Sequence, residues 1–92
     1  MIYTDEVHLV ADSLEELHEF AKSIGLSRNM FEGVKKNHPH YDLIYNSGNP
    51  VYDEHGKKMS DKVIEYGAKV VRKREILFIS KKIIKQTKII WN

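Results

Sequence analysis

Histidine and aspartate side chains form the pattern in this chain that is best suited to chemistry. Residues 38–42 have the sequence His-Pro-His-Tyr-Asp and are predicted to be extended, because a proline disfavours helical angles in the residue before it. In an extended segment His38, His40 and Asp42 project to one side. Imidazole and carboxylate ligands suit zinc or another divalent metal, so these three residues, with His18, are the candidate metal ligands.

Two other interpretations fit the same part of the chain. The first is a binding pocket for a small anionic ligand such as a nucleotide, to which Arg28 and the amides that begin the first helix would contribute. Its candidate residues are His8, Asp12, His18, His40, Tyr41 and Asp42. The second is structural: buried histidines bond to nearby carbonyls or to Asp12 and Asp42, because an unpaired buried donor costs about 1–3 kcal/mol. The residues alone leave these interpretations open.

Catalysis has weaker support in the sequence. A metal site with an open position would activate water, which makes a metal-dependent hydrolase the alternative function and leaves open whether the chain is an enzyme. Neither a His-Glu-x-x-His motif nor a glycine-rich phosphate loop is present. The chain has no cysteine, which excludes disulfides, thiolate metal sites and cysteine nucleophiles.

Basic residues are concentrated at the C-terminal end. Residues 69–92 contain eight Lys or Arg and one acid, whereas residues 1–68 carry a net charge of −5. A nucleic-acid surface is one interpretation of this segment, with Arg72, Lys73, Arg74, Lys82 and Lys85 as candidates. A charged edge strand is the structural alternative. A third is a contact between the basic segment and the acidic body in a homo-oligomer.

The pattern of apolar residues predicts an α+β fold, with a small mixed β-sheet on which one long amphipathic helix and one short helix pack. A strand is predicted over 2–11 and a helix over Ser13–Ile24, begun by a capping box of Ser13 and Glu16. Ser60–Tyr66 is the second predicted helix. Further strands are predicted at 69–71, 76–79, 83–84 and 88–91, because β-branched and aromatic residues dominate there.

The length of 92 residues predicts one domain, with a body at 1–71 and a basic, β-rich extension at 72–92. The first residues are acidic, where a secretory signal would be basic and then apolar. No apolar run approaches the roughly 20 residues that span a bilayer. We therefore expect a cytoplasmic protein without a membrane partner.

Several segments resemble, in order, one family of short bacterial and bacteriophage proteins, domain-of-unknown-function family 4031 (DUF4031). These are residues 7–21, Ile24-Gly25-Leu26, Phe31, His40-Tyr41-Asp42-Leu43 and Gly67-Ala68. The resemblance covers residues 2–71. Compared with the family pattern, this chain has an insertion at about 44–56, and Lys57 and Lys58 precede the second helix. The basic segment after residue 72 is particular to this chain. The resemblance implies an architecture but no activity.

Overall fold

A five-stranded mixed sheet forms the centre of the molecule. The structure, a computed structural model, describes the backbone of residues 1–32 and 39–91 and the side chains of these residues up to residue 82. Its strands are β1 (Ile2–Thr4), β2 (His8–Ala11), β3 (Phe31–Glu32), β4 (His40–Asp42) and β5 (Lys69–Val70). Their order across the sheet is β3-β4-β2-β1-β5, and only the β1–β5 pair among these is parallel. The helices are α1 (Leu14–Ser23), α2 (Met59–Glu65) and α3 (Lys73–Trp91). The predicted α+β class with a mixed sheet is confirmed.

The predicted strand over 2–11 is wrong as one element, because the chain reverses within it. β1 and β2 pair antiparallel, with Ile2 opposite Ala11 and Thr4 opposite Leu9. The Asp5 carboxylate accepts hydrogen bonds from the amides of Val7 and His8 at 3.0 and 2.7 Å, which closes the turn. The polar run between the two strands was the sequence signal for this hairpin.

Helix α1 begins and ends where the sequence predicts. The Ser13 hydroxyl accepts a hydrogen bond from the amide of Glu16 at 3.1 Å, and Ile24 is the C-cap residue. The other half of the predicted capping box is not formed, because the Glu16 carboxylate contacts the amino group of Met1 instead. Leu17 and Ala21 are fully buried, so α1 packs its apolar stripe on the sheet.

The main core lies between one side of the sheet and helices α1 and α2. Leu9 and Ala11 of β2 and Tyr41 of β4 pack there against Leu17 of α1 and Val63 of α2. These residues alternate along their strands, as expected for a sheet with one side in the main core. The core therefore fixes which side of the sheet each neighbouring polar residue occupies.

The inserted segment and α2 are joined through Asp53. The Asp53 carboxylate accepts hydrogen bonds from the amides of Lys57 and His55 at 2.8 and 2.9 Å and from the Lys62 ammonium at 2.9 Å. These bonds, that of the Lys57 amide first, lower the pKa of Asp53 to about 2. Helix α2 begins at Met59, one residue before the predicted Ser60, and has no side-chain cap.

The β-rich extension predicted at 72–92 is also wrong, since the 19 residues Lys73–Trp91 form helix α3. Ile76 and Ser80, one helical turn apart, are buried, and α3 covers the side of the sheet opposite α1. Val10 of β2 is fully buried on this second side. Packing of α3 on the sheet outweighs the β-propensity of its isoleucines, because propensity is weak compared with tertiary context. Among the residues that the structure describes, no helix combines the length and the apolarity that crossing a bilayer requires.

Candidate ligand pocket and histidine cluster

The register of β2 and β4 divides the candidate residues between the two sides of the sheet. His8 lies opposite Asp42, and Leu9 lies opposite Tyr41. Because successive side chains of a strand point to opposite sides, Tyr41 lies on the α1 side, whereas His8, His40 and Asp42 lie on the α3 side. The residues that the sequence suggested for one site therefore form two separate groups, one on each side of the sheet.

On the α1 side, His18 and Tyr41 are joined directly. His18 Nδ1 lies 2.8 Å from the Tyr41 hydroxyl, and the Tyr41 side chain is almost fully buried in the core. Phe31 completes a group of three aromatic rings, with its centroid 4.6 Å from that of His18 and 5.3 Å from that of Tyr41. Edge-on packing of this kind holds the His18 ring in one orientation.

A cavity of about 450 Å³ opens beside this pair, which we call the His18 pocket. It is lined by His18, Glu19, Lys22, Gly25, Leu26, Arg28 and Tyr41. The Arg28 guanidinium lies 5.5 Å from the centre of the Phe31 ring, so a cation–π contact helps to place it. None of the first four residues of α1 lines the pocket, so the helix amides suggested from the sequence do not contribute to it.

Electrostatics in the His18 pocket favour an uncharged imidazole. Burial, and secondarily the positive charge of Arg28, lower the pKa of His18 below its usual value. Burial raises the pKa of the Tyr41 hydroxyl, and Arg28 acts against that shift. Among the described residues that line the pocket, Arg28 and Lys22 are the basic side chains and Glu19 is the acidic one.

On the α3 side, His8, His40 and Asp42 form a compact group, which we call the His8–His40 cluster. One possible ligand atom from each lies within 4.8 Å of the other two. His40 Nε2 is 3.0 Å from Asp42 Oδ1, and the rings of His8 and His40 are 5.0 Å apart at an interplanar angle of 78°. His40 is 5% exposed, so the group lies at the edge of the packed interface with α3.

Asp5 supports this cluster from behind. Its carboxylate lies 3.0 Å from His8 Nδ1. The same carboxylate also accepts the two hydrogen bonds from backbone amides in the hairpin turn. Burial raises the pKa of Asp5, but the hydrogen bonds from the His8 side chain and from the two amides outweigh it, and the net pKa is lowered. Asp5 is thus an ionised acceptor that orients the His8 ring.

The remaining candidate assignments concern Asp12, His18 and His38. Asp12 directly follows the C-terminal end of β2, whereas His8 begins that strand. Its side chain is 57% exposed and contacts the Tyr3 hydroxyl and the Met1 amino group. His18, proposed as a metal ligand, lies across the sheet from the His8–His40 cluster. His38, the remaining proposed ligand, lies outside the described residues.

The candidate nucleic-acid residues lie on or beside α3. Arg72 precedes the helix, and Lys73 and Arg74 form its exposed first turn. The Lys82 ammonium lies 4.7 Å above the Phe78 ring, and Phe78 is 63% exposed. The side chain of Lys85 lies outside the described residues.

Two functional candidates were missed in the sequence. The first is Lys22, whose position one helical turn after His18 places both residues on one edge of α1. Asp5 was not considered, although a carboxylate three residues before a histidine at a turn can reach its ring. Both signals were local and could have been used.

Comparison with known proteins adds no activity. The family model described as "Protein of unknown function (DUF4031)" matches residues 4–83. The match extends beyond the resemblance at 2–71 and includes the first half of α3, so the segment from 72 to 83 is not particular to this chain. No curated protein and no solved structure matches the chain. Because the family model covers most of its length, the chain belongs to the DUF4031 family of proteins of unknown function.

Proposed function

We propose that this protein binds a small anionic molecule, a nucleotide or another organic phosphate, in the His18 pocket. The observation that carries the proposal is a cavity of about 450 Å³ in which Arg28 and Lys22 accompany the His18–Tyr41 pair. Cavities of about 300–1,000 Å³ with a few convergent polar groups are typical small-molecule sites. The role is that of a binding protein, and no catalytic step is proposed.

The charges of the pocket support an anionic ligand. A guanidinium presents paired N–H donors that match a phosphate, and the ring of Phe31 helps to hold the Arg28 group. Lys22, which lies one turn after His18 in α1, adds a second cation to the pocket. Glu19 lowers the net positive charge, which favours a ligand with one phosphate group over a polyphosphate.

The apolar surfaces of the pocket support an organic part in the ligand. Leu26 and Tyr41 form part of its lining, and Phe31 lies against both His18 and Tyr41. Such surfaces bury a nucleobase or a comparable flat group by the hydrophobic effect and by stacking. We therefore expect AMP to bind more tightly than inorganic phosphate.

Proton binding by His18 is expected to be coupled to anion binding. Burial and Arg28 lower the pKa of the free His18, and a bound phosphate would oppose both effects by favouring imidazolium. By linkage, a ligand that raises this pKa binds more tightly as the pH falls through the range in which His18 titrates. The affinity of the pocket for an anion is therefore expected to depend on pH through His18.

Replacing Arg28 by glutamine is expected to weaken AMP binding by about 10- to 100-fold, because a charge-assisted hydrogen bond contributes about 1.5–3 kcal/mol. Isothermal titration calorimetry of AMP and of inorganic phosphate measures this. Arg74→Gln, which removes the same charge from the exposed first turn of α3, is the matched control and should change the affinity less than about twofold. AMP binding that is absent from the unaltered protein, or equally weakened in both variants, contradicts the proposal.

Nucleic-acid binding by α3 is the second candidate function. It is favoured by the exposed cations Lys73, Arg74 and Lys82 on one helix. The same pair of variants distinguishes the two functions. Salt-dependent binding of an oligonucleotide that Arg74→Gln weakens and Arg28→Gln does not would favour α3 over the pocket.

A further inference from the structure

We propose that His8, His40 and Asp42 bind one divalent transition-metal ion, zinc or an ion of similar chemistry, on the α3 side of the sheet. This site is separate from the His18 pocket, since the sheet lies between them. It also differs from the ligand set suggested by the sequence, because His8 replaces His18 and His38 is not required. Two imidazoles and one carboxylate are a donor set that zinc and iron(II) sites use.

The sheet itself brings the three ligands together. His8 and Asp42 are direct partners across β2 and β4, and His40 lies two residues before Asp42 on the same side. Zinc ligands lie about 2.0–2.2 Å from the metal, so their donor atoms are separated by about 3.4 Å. The observed limit of 4.8 Å between ligand atoms requires side-chain shifts of only about 1 Å, which rotation about the outer torsions of His8 and Asp42 supplies.

The contact between Asp5 and His8 is what a metal-binding histidine requires. An ionised carboxylate can only accept a hydrogen bond, so Nδ1 of His8 carries the proton that is donated to Asp5. In this tautomer the lone pair of His8 Nε2 is the one that can bind a metal. Carboxylates that hold the second nitrogen of a ligand histidine in this way are a regular feature of metal sites. The backbone amides of Val7 and His8 in turn donate hydrogen bonds to the Asp5 carboxylate, so the acceptor of the His8 ring is itself held in place.

Space for a further ligand adjoins the cluster. A cavity of about 180 Å³ is lined by His8, His40, Lys73, Ile76, Leu77 and Ser80. Three protein ligands leave the fourth position of a tetrahedral ion open, as in catalytic rather than structural zinc sites. Water or an anionic group can occupy this position, and Lys73 lies in the same cavity to pair with an anion.

Zinc titration of the untagged protein by isothermal calorimetry tests the proposal. We expect one zinc ion per chain. His8→Gln should lower the zinc affinity by about 100-fold, because removing a ligand costs at least as much as removing a residue that only supports a ligand. His55→Gln is the matched control, because His55 is a loop histidine with a side chain that is 80% exposed. His18→Gln is the second control, because that residue lies on the other side of the sheet. Both controls should retain the affinity of the unaltered chain.

Asp5→Asn keeps all three proposed ligands and provides an independent test. We expect it to weaken zinc binding by about 10- to 100-fold, the usual cost of losing such a support. Cobalt(II) absorption of the same proteins should show the intense visible bands of a four-coordinate ion, which Asp42→Asn removes. No zinc binding, or an affinity that His8→Gln leaves unchanged or that His18→Gln lowers equally, overturns the proposal.

Discussion

Replacing Val10 by aspartate is expected to lower the free energy of unfolding by about 3–5 kcal/mol at pH 7, the cost of leaving a buried charge without a partner. Val10 is fully buried in β2, on the side of the sheet that α3 covers. A domain of 92 residues has a total stability of about 5–14 kcal/mol, so this loss is a large part of it. Urea denaturation followed by circular dichroism gives the value.

Val70→Asp is the matched control for this substitution. Val70 lies in the edge strand β5 and is 51% exposed, so its replacement should cost about 1 kcal/mol or less. Burial raises the pKa of the carboxyl introduced at position 10, so its penalty should be smallest below about pH 4, where it is neutral in both folded and unfolded states, and should grow as the pH rises. Equal losses at the two positions would show that α3 does not cover the sheet.

Replacing Leu17 by alanine is expected to lower the free energy of unfolding by about 2–5 kcal/mol, the range for a buried leucine that leaves a cavity. Leu17 is fully buried in α1, where it packs in the main core with Leu9 and Tyr41. Alanine is the best helix former, so the loss reports packing and not helix propensity. Urea denaturation provides the measurement.

Leu77→Ala is the control for Leu17→Ala, because Leu77 is a helical leucine of α3 that is 40% exposed. Its replacement should cost less than about 1 kcal/mol, since little apolar surface is lost from the interior. A similar cost at Leu17 and Leu77 would contradict the position of the main core between α1 and the sheet.

The sequence predicted the elements that depend on local signals. Helix α1 has a cap at Ser13 and an apolar residue on nearly every turn, and both act within a few residues of the chain. The segment His40–Asp42 was correctly expected to be extended. The fold class followed from these elements, because an amphipathic helix and short strands must bury their apolar sides against each other.

The sequence misled where tertiary packing decides the structure. The isoleucines of α3 have high β-propensity, yet Ile76 and Ser80 are buried one helical turn apart against the sheet. The hairpin of β1 and β2 was missed because its turn lacks glycine and places Glu6 at a φ of 76°, which is uncommon for such a residue.

The candidate residues that the sequence suggested for one site fall into two groups in the structure. His8, His18, His40, Tyr41 and Asp42 all lie in one of the two described groups. The alternation of His40, Tyr41 and Asp42 already implied that the middle residue faces away from its neighbours. Which helix covers which side could not be deduced, because that depends on the position of α3.

Histidine side-chain NMR of the metal-free protein tests the central claim, that the His18 pocket binds an organic phosphate, most directly. Titration of the pH with and without AMP gives a pKa for each assigned imidazole. We predict that AMP raises the pKa of His18, which burial and Arg28 lower in the free protein, and does not perturb the resonances of His8 and His55. A His18 resonance that AMP does not affect, or a shift confined to His8 and His40, would contradict the account.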